Sequence, residues 1–265
     1  MNKSDTDTKS PLIVAHRGAR DEAPENTRSA FDAALKYPVD GIEFDVRITR
    51  EGIPVIYHDK TLLRINGTRK KIESCFLDEL VNTDWGSWFS GKYSKERILT
   101  FEKAIDLYCR RTKLFIEIKS NEQDYLSETS RILTIKVLEI INKKTLFKYS
   151  GNIFILSFNP KILEFAHKKA PGNNYVLNLS LTSLNQSSYP SYLHGLCLPI
   201  GKLSESFMNK AKKGGYSVLT YSCNTPGQAA KAIGLGTDII MTDKPGWLCK
   251  LSPCAFMPQA VGFSQ

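Results

Sequence analysis

Short apolar runs alternate with helix-like segments along almost the whole chain, and this alternation restricts the fold more than any other feature. Leu12-Ile13-Val14-Ala15 is a nearly continuous apolar run, as expected of a strand buried on both faces. A helical segment through Ser29, Ala30, Phe31, Ala33, Ala34 and Leu35 follows, with Asn26 or Thr27 as its cap, and stops at Tyr37-Pro38. Strand 41–47 comes next, so strand, helix and strand succeed one another and predict a parallel pair. The pattern then recurs. Strands are expected at 114–119, 153–157, 175–179, 195–198, 217–221 and 238–242, and helices at 101–110, 127–141, 160–169, 203–212 and 225–233. Eight strands alternating mostly with helices in 265 residues predict an α/β fold, a (β/α)8 TIM-type barrel. An open doubly wound sheet is the competing architecture, and no Gly-rich dinucleotide fingerprint supports it.

A single domain over 1–265 is expected, with its core at about 11–248. Residues 60–97 hold no sustained period and read as an insertion after the second strand and its hairpin, with one short helix near 77–81. The tail 247–265 lacks a clear period. The net charge of +9 is spread over pairs such as Arg110-Arg111 and Lys212-Lys213 and the triplet Arg69-Lys70-Lys71. Scattered pairs of this kind read as solvated faces, with attraction of an anionic substrate or membrane phosphates as the alternative. No nucleic-acid motif accompanies them. Residues 1–10 are polar, and no apolar run approaches the ~18 residues of a membrane span. A cytoplasmic protein without stable membrane insertion is expected. The six cysteines form no CxxC pair and suit reduced, buried packing.

The stretch 41–59, GIEFDVRITREGIPVIYHD, concentrates the polar chemistry. Strand side chains alternate faces, so Glu43 and Asp45 point the same way. Two acids on one face of an apolar strand are costly to bury unless they find a cation or partners. The turn Thr49-Arg50-Glu51-Gly52 folds a second arm, Pro54 to Tyr57, back along the first and delivers His58. The other reading is a half-exposed strand with its polar face in water.

Barrels carry their chemistry at the C-terminal ends of the strands. His16 and Arg17 end the first strand, Glu117 and Lys119 share a face of the third, and Tyr221, Ser222, Asn224 and Asp243 follow the last two. Glu43, Asp45 and Glu117 are oxygen ligands suited to a hard divalent cation, Mg²⁺ or Ca²⁺. Buried ion pairs with Arg17, Lys119 or Arg47 are the alternative. His16 and His58 form a candidate acid/base pair. Arg17 and Lys119 would bind anionic oxygens. Two cations, a metal and two histidines around an anion suit phosphoryl chemistry.

The chain resembles the glycerophosphodiester phosphodiesterase family. The segments that carry the resemblance are AHRGA (15–19), PENT (24–27), EFDV (43–46), IYHD (56–59), LLRINGT (62–68), ILTFEKA (98–104), FIEIK (115–119), ILSFN (155–159), YSCN (221–224) and MTDKPG (241–246). They occur in the family's order across nearly the whole chain. The resemblance implies a TIM-type barrel, a divalent cation, and hydrolysis of a glycerophosphodiester to glycerol 3-phosphate and an alcohol. It implies His16 and His58 as the catalytic pair and Glu43, Asp45 and Glu117 as metal ligands. Arg17 and Lys119 would face the phosphate, and Glu25 would lie near the metal or the substrate glycerol. The implied mechanism is attack by the glycerol's own hydroxyl, giving a cyclic phosphate that water opens. Tyr221 stands where the family usually has Trp and offers an aromatic wall with a hydroxyl. Trp85, Trp88 and Phe89 are expected to pack rather than line the mouth, and His167 and His194 to lie outside the constellation. A lipid-cleaving relative, lysophospholipase D-like or phospholipase D-like, is the second reading, favoured by apolar loops around the mouth. A non-catalytic phosphodiester-binding barrel is the third.

Overall fold

Short apolar runs between helical segments decide the architecture before any long-range contact does. In the computed structural model, which describes residues 10–120, 125–144, 151–181 and 183–251, each expected strand forms within one residue of its predicted bounds. Residues 1–9 and 252–265, with Cys254 and most of the tail, lie outside the described residues. In chain order the elements are β1 (Leu12–His16), α1 (Arg28–Ala34), β2 (Gly41–Ile48), β3 (Pro54–Ile56), α2 (Leu63–Asn66), α3 (Leu77–Val81), α4 (Phe101–Tyr108) and β4 (Lys113–Ile118). There follow α5 (Glu128–Lys144), β5 (Ile153–Ser157), α6 (Pro160–Lys169), β6 (Asn174–Asn178), β7 (Gly195–Pro199), α7 (Glu205–Lys213), β8 (Ser217–Tyr221), α8 (Pro226–Gly234), β9 (Ile239–Thr242) and α9 (Pro245–Lys250).

Eight of these strands pair in parallel, and β1 pairs with both β9 and β2, so the sheet closes on itself. That closure rules out the open doubly wound sheet. The ninth strand, β3, is the hairpin arm and lies antiparallel on β2, with Val46 opposite Ile56. Alternation then sorts the side chains. Val14, Phe115, Phe154, Leu156, Val176, Cys197, Leu219, Ile239 and Met241 fill the barrel interior. Their strand neighbours, such as Ile42, Phe44, Ile116 and Ile155, face the helices and join Phe31, Phe101, Ile105, Val137 and Leu163 in the outer layer. Gly41 is required by this packing, because a Cβ there would meet the Phe115 ring at 2.8 Å.

The insertion has a small core of its own, built from Val55, Tyr57, Leu62, Ile72, Cys75, Leu80, Trp85 and Ile98. Trp85 meets Tyr57 edge-on at 5.0 Å, and Trp88 and Phe89 pack against each other at 5.9 Å. The helix α3 was expected; α2 and α9 were not. Both are shorter than two turns and show too few repeats for a period to register. A left-handed Gly67 stops α2, and α9 opens with Pro245 and buries Leu248 against the core.

Candidate active site

The mouth is organised by β2. Glu43 and Asp45 point into the barrel and are buried, and Glu117 of β4 stands beside Asp45 in the strand register. Ligand oxygens of these three acids all lie within 4.8 Å of one another. Asp45 accepts a hydrogen bond from Asn26 Nδ2 at 2.8 Å and meets Arg17 Nε at 3.1 Å and Lys119 Nζ at 3.3 Å. Glu117 accepts from Asn178 Nδ2 at 3.0 Å and from Lys119 Nζ at 2.5 Å. Glu43 accepts the backbone N–H of Arg17 at 3.0 Å.

The electrostatics of the two β2 acids differ. Burial and the neighbouring Asp45 push the Glu43 carboxyl well up. Burial acts upward on Asp45 too, but Arg17, Lys119, His58 and the Asn26 hydrogen bond outweigh it and hold that carboxyl far below the usual range. Three acids thus face two cations, Arg17 and Lys119, and the last carboxyl lacks a counter-charge. Asp45 Oδ1 is buried and makes no hydrogen bond beyond its ion-pair contact with Lys119 Nζ at 3.3 Å. A compact, undercompensated set of carboxylate oxygens fits a hard divalent cation. The ion pairs anticipated as the alternative for the acids are therefore present, and they leave a deficit of positive charge.

Each histidine has a carboxylate at its back. His16, at the end of β1, places Nδ1 2.7 Å from Asp243 Oδ1, just past β9, and Nε2 3.8 Å from Glu43. His58 places Nδ1 2.7 Å from Asp59 Oδ1. Burial acts upward on both aspartates, yet both are held down at about 2. For Asp243 the downward pull is the hydrogen bond to His16 and its charge, with Arg20 and Asn224; for Asp59 it is His58 and Arg64. An ionised carboxylate only accepts, so each imidazole carries its proton on Nδ1 when neutral and leaves Nε2 unprotonated. Both histidines line a cavity of about 240 Å³ with Arg17, Glu43, Glu117 and Lys119. Tyr221 completes its wall, its ring 6.1 Å from that of His16. A larger groove of about 720 Å³ between α1 and the insertion, lined by Asp32, Lys36, Phe89 and Tyr93, holds none of these groups.

Glu25 takes a different position. It is buried and gripped by Arg17 Nη1 at 3.0 Å, Arg20 Nη2 at 2.8 Å and Arg64 Nη2 at 2.8 Å. The clustered acids number three among the described residues, and Glu25 is not one of them. The loop that brings these groups together is conformationally demanding. Arg17 and Asn26 both have left-handed backbone, at φ 58° and 60°. Gly18 follows at φ 83°, where a Cβ would sit 2.6 Å from the Ala30 carbonyl carbon.

Sequence reasoning gave Asp59, Arg64 and Asn178 no place in the site, read Asn26 only as a possible helix cap, and noted Asp243 only as a polar residue at a strand end. Signals were present for four of them, since Asp59 follows His58 directly, Asn26 sits in PENT, Arg64 in LLRINGT and Asp243 in MTDKPG. Burial raises the Cys197 and Cys223 thiols, the latter to about 12, which suits packing. The other two histidines lie elsewhere: His167 stacks on Tyr192 at 4.5 Å, and His194 meets Phe154 edge-on.

Comparison with known proteins agrees with this geometry. The sequence pattern of the family described as "Glycerophosphoryl diester phosphodiesterase family" matches residues 16–247. The glycerophosphodiester phosphodiesterase of Caldanaerobacter subterraneus subsp. tengcongensis is 28% identical over 251 residues, covering 91% of this chain and 97% of that protein. A glycerophosphodiester phosphodiesterase of Bacillus subtilis is 24% identical over 248 residues, covering 88% of this chain and 84% of that protein. An Oleispira antarctica phosphodiesterase, solved in complex with the product sn-glycerol-3-phosphate, superposes with a TM-score of 0.81 at 26% identity, covering 91% of this chain and 96% of that one. A closed eight-stranded barrel, a carboxylate triad at its mouth and a match over nearly the whole chain lead to one conclusion: the protein belongs to the glycerophosphoryl diester phosphodiesterase family.

Proposed function

We propose that this barrel hydrolyses glycerophosphodiesters to glycerol 3-phosphate and an alcohol, with His16 and His58 as the acid/base pair beside a divalent cation, Mg²⁺ or Ca²⁺, held by Glu43, Asp45 and Glu117. The observation that carries this reading is the meeting of two histidine–aspartate pairs at a cavity lined by Glu43 and Glu117, two members of the acid triad. The bound cation would neutralise charge on the phosphate oxygens. Arg17 and Lys119 line the same cavity, where they would face the phosphate from the protein side. One imidazole Nε2 takes the proton of the attacking glycerol hydroxyl as the new P–O bond forms. The other gives a proton to the departing alcohol as its P–O bond breaks. The roles then reverse while water opens the cyclic phosphate. Asp59 and Asp243 stabilise each imidazolium as it forms. Glu25 serves by holding Arg17 toward the site, and Tyr221 walls the substrate.

A second reading draws on the rim. Tyr125, Phe158 and Leu181 follow β4, β5 and β6 in turn, and all three are exposed. Phe158 lines the cavity itself. An apolar lip of this kind favours a phosphodiester whose leaving group bears an apolar chain. Among the described residues no helix is long and apolar enough to cross a membrane.

The test is a coupled glycerol 3-phosphate assay across choline, ethanolamine, inositol and glycerol head groups and a lysophospholipid, with chelator and with added metals. Turnover abolished in His16→Ala and in His58→Ala, and lost reversibly to chelator, is the expected result. Full turnover without His16 would sink the assignment. Preference for the lysophospholipid, lost in Phe158→Ser, would move the substrate to the second reading.

A further inference from the structure

The insertion contributes one charged side chain, Arg64, to the contacts behind the site, and the mechanism above gives it no task. Arg64 lies in α2, where its Nε donates to Asp59 Oδ2 and its Nη2 donates to Glu25 Oε1, both at 2.8 Å. Asp59 uses its other oxygen on His58 Nδ1, and Glu25 Oε1 also accepts from Arg17 Nη1. Arg17 in turn reaches Asp45. One guanidinium therefore sits at the junction of two chains of contacts. One leads to the histidine and the other to the carboxylates. The Trp88 ring covers that guanidinium at 4.6 Å, and Trp88 is itself tied down, its Nε1 donating to the Trp85 carbonyl at 2.9 Å.

His58 needs such support more than His16 does. His16 ends a strand paired on both sides, so its backbone is fixed by the barrel. His58 follows the three-residue β3 in a loop, and its partner is the next residue in the chain. Adjacent side chains diverge in a strand, so the pairing depends on how the Asp59 carboxylate is turned. A planar fork with rigid spacing fixes that turn where an ammonium would not.

We propose that Arg64 is a positioning residue: it orients His58 through Asp59 and Arg17 through Glu25, and the insertion serves the reaction by clamping it under Trp88. The proposal rests on the acid/base reading of His58, and its test separates the two. In ¹⁵N-histidine spectra the His58 Nδ1–H, identified by its loss in His58→Ala, is slow to exchange in the wild type. It exchanges fast in Arg64→Gln. This readout needs no turnover, so an inactive wild type would count against the function while leaving the positioning claim decided by the spectra. In the assay Arg64→Gln lowers kcat by about 10–100-fold, with a smaller change in KM, and Arg64→Lys recovers part of the loss. Arg64→Gln combined with Asp59→Asn costs less than the two single losses multiplied together, because the two residues share the His58 route and only the Glu25–Arg17 route is separate. A purely structural role for Arg64 would give additive losses. An unchanged His58 proton in Arg64→Gln, or in Arg64→Lys should the first variant not fold, overturns the proposal.

Discussion

Neutralising Glu43 and neutralising Asp45 should move the stability of the cation-free protein in different directions, although the two are neighbours on one face of one strand. Asp45 is the counter-charge for Arg17 at 3.1 Å and Lys119 at 3.3 Å, cations whose side chains are only 14% and 13% exposed. Asp45→Asn leaves both short of a partner, and breaking a buried pair in this way costs about 3–5 kcal/mol. Glu43 is different, because burial and Asp45 already oppose its ionised form. Glu43→Gln keeps an oxygen for the Arg17 N–H and removes a like charge. It should leave stability unchanged or raise it, on the order of 1 kcal/mol. At about 2–4 °C per kcal/mol for a domain near this size, the Asp45 variant should melt about 6–20 °C lower than wild type. The measurement is thermal and urea unfolding at pH 7 in chelator. A divalent cation at about 100 times its Kd should then add about 2.7 kcal/mol to the wild type, and neither variant should gain as much. Equal destabilisation by both substitutions, or an Asp45 variant as stable as the wild type, would refute this account of the charges.

Three further outcomes follow from the same geometry. Removing either histidine should cost at least about 10²-fold in kcat with the melting curve retained, read in the coupled assay and by circular dichroism. Asp243 has its folded value depressed from 3.8 to about 2, so its contribution to stability is complete above the unfolded value and is lost as pH falls through the folded one. The stability gap between wild type and Asp243→Asn, measured by urea midpoint, should therefore be constant above about pH 5 and shrink between pH 3.8 and about 2. Gly18→Ala forces a Cβ to within 2.6 Å of the Ala30 carbonyl carbon and into left-handed backbone. It should cost upward of about 1–2 kcal/mol and raise KM, since Arg17 is the preceding residue; an unaffected KM would show that the loop adapts.

How much of this was legible in the chain depends on the range over which each signal acts. Period two placed Glu43 with Asp45 and Glu117 with Lys119 correctly, because alternation along a strand is a local property of the backbone. The eight strands were legible as short apolar runs between helical segments, and α2 and α9 were missed because a helix shorter than two turns shows no period. The partner of His16 was not legible as a partner: Asp243 lies 227 residues away, and only closure of β9 onto β1 brings it to 2.7 Å. The same holds for Asn178 on Glu117, 61 residues apart, and for Arg64 on Glu25, 39 apart. For His58 and Asp59 the obstacle was different, since neighbours meet only where the chain has left the strand.

The sequence by itself determined the strand count, the facing of the acids and the chemical types gathered at the strand ends, all of which follow from local geometry and residue chemistry. Only the tertiary structure decided that the sheet closes, which carboxylate backs which imidazole, and that Glu25 holds three arginines instead of joining the carboxylate cluster. Those facts depend on the register of strands remote in the chain and on the paths of loops, which no short window of residues encodes.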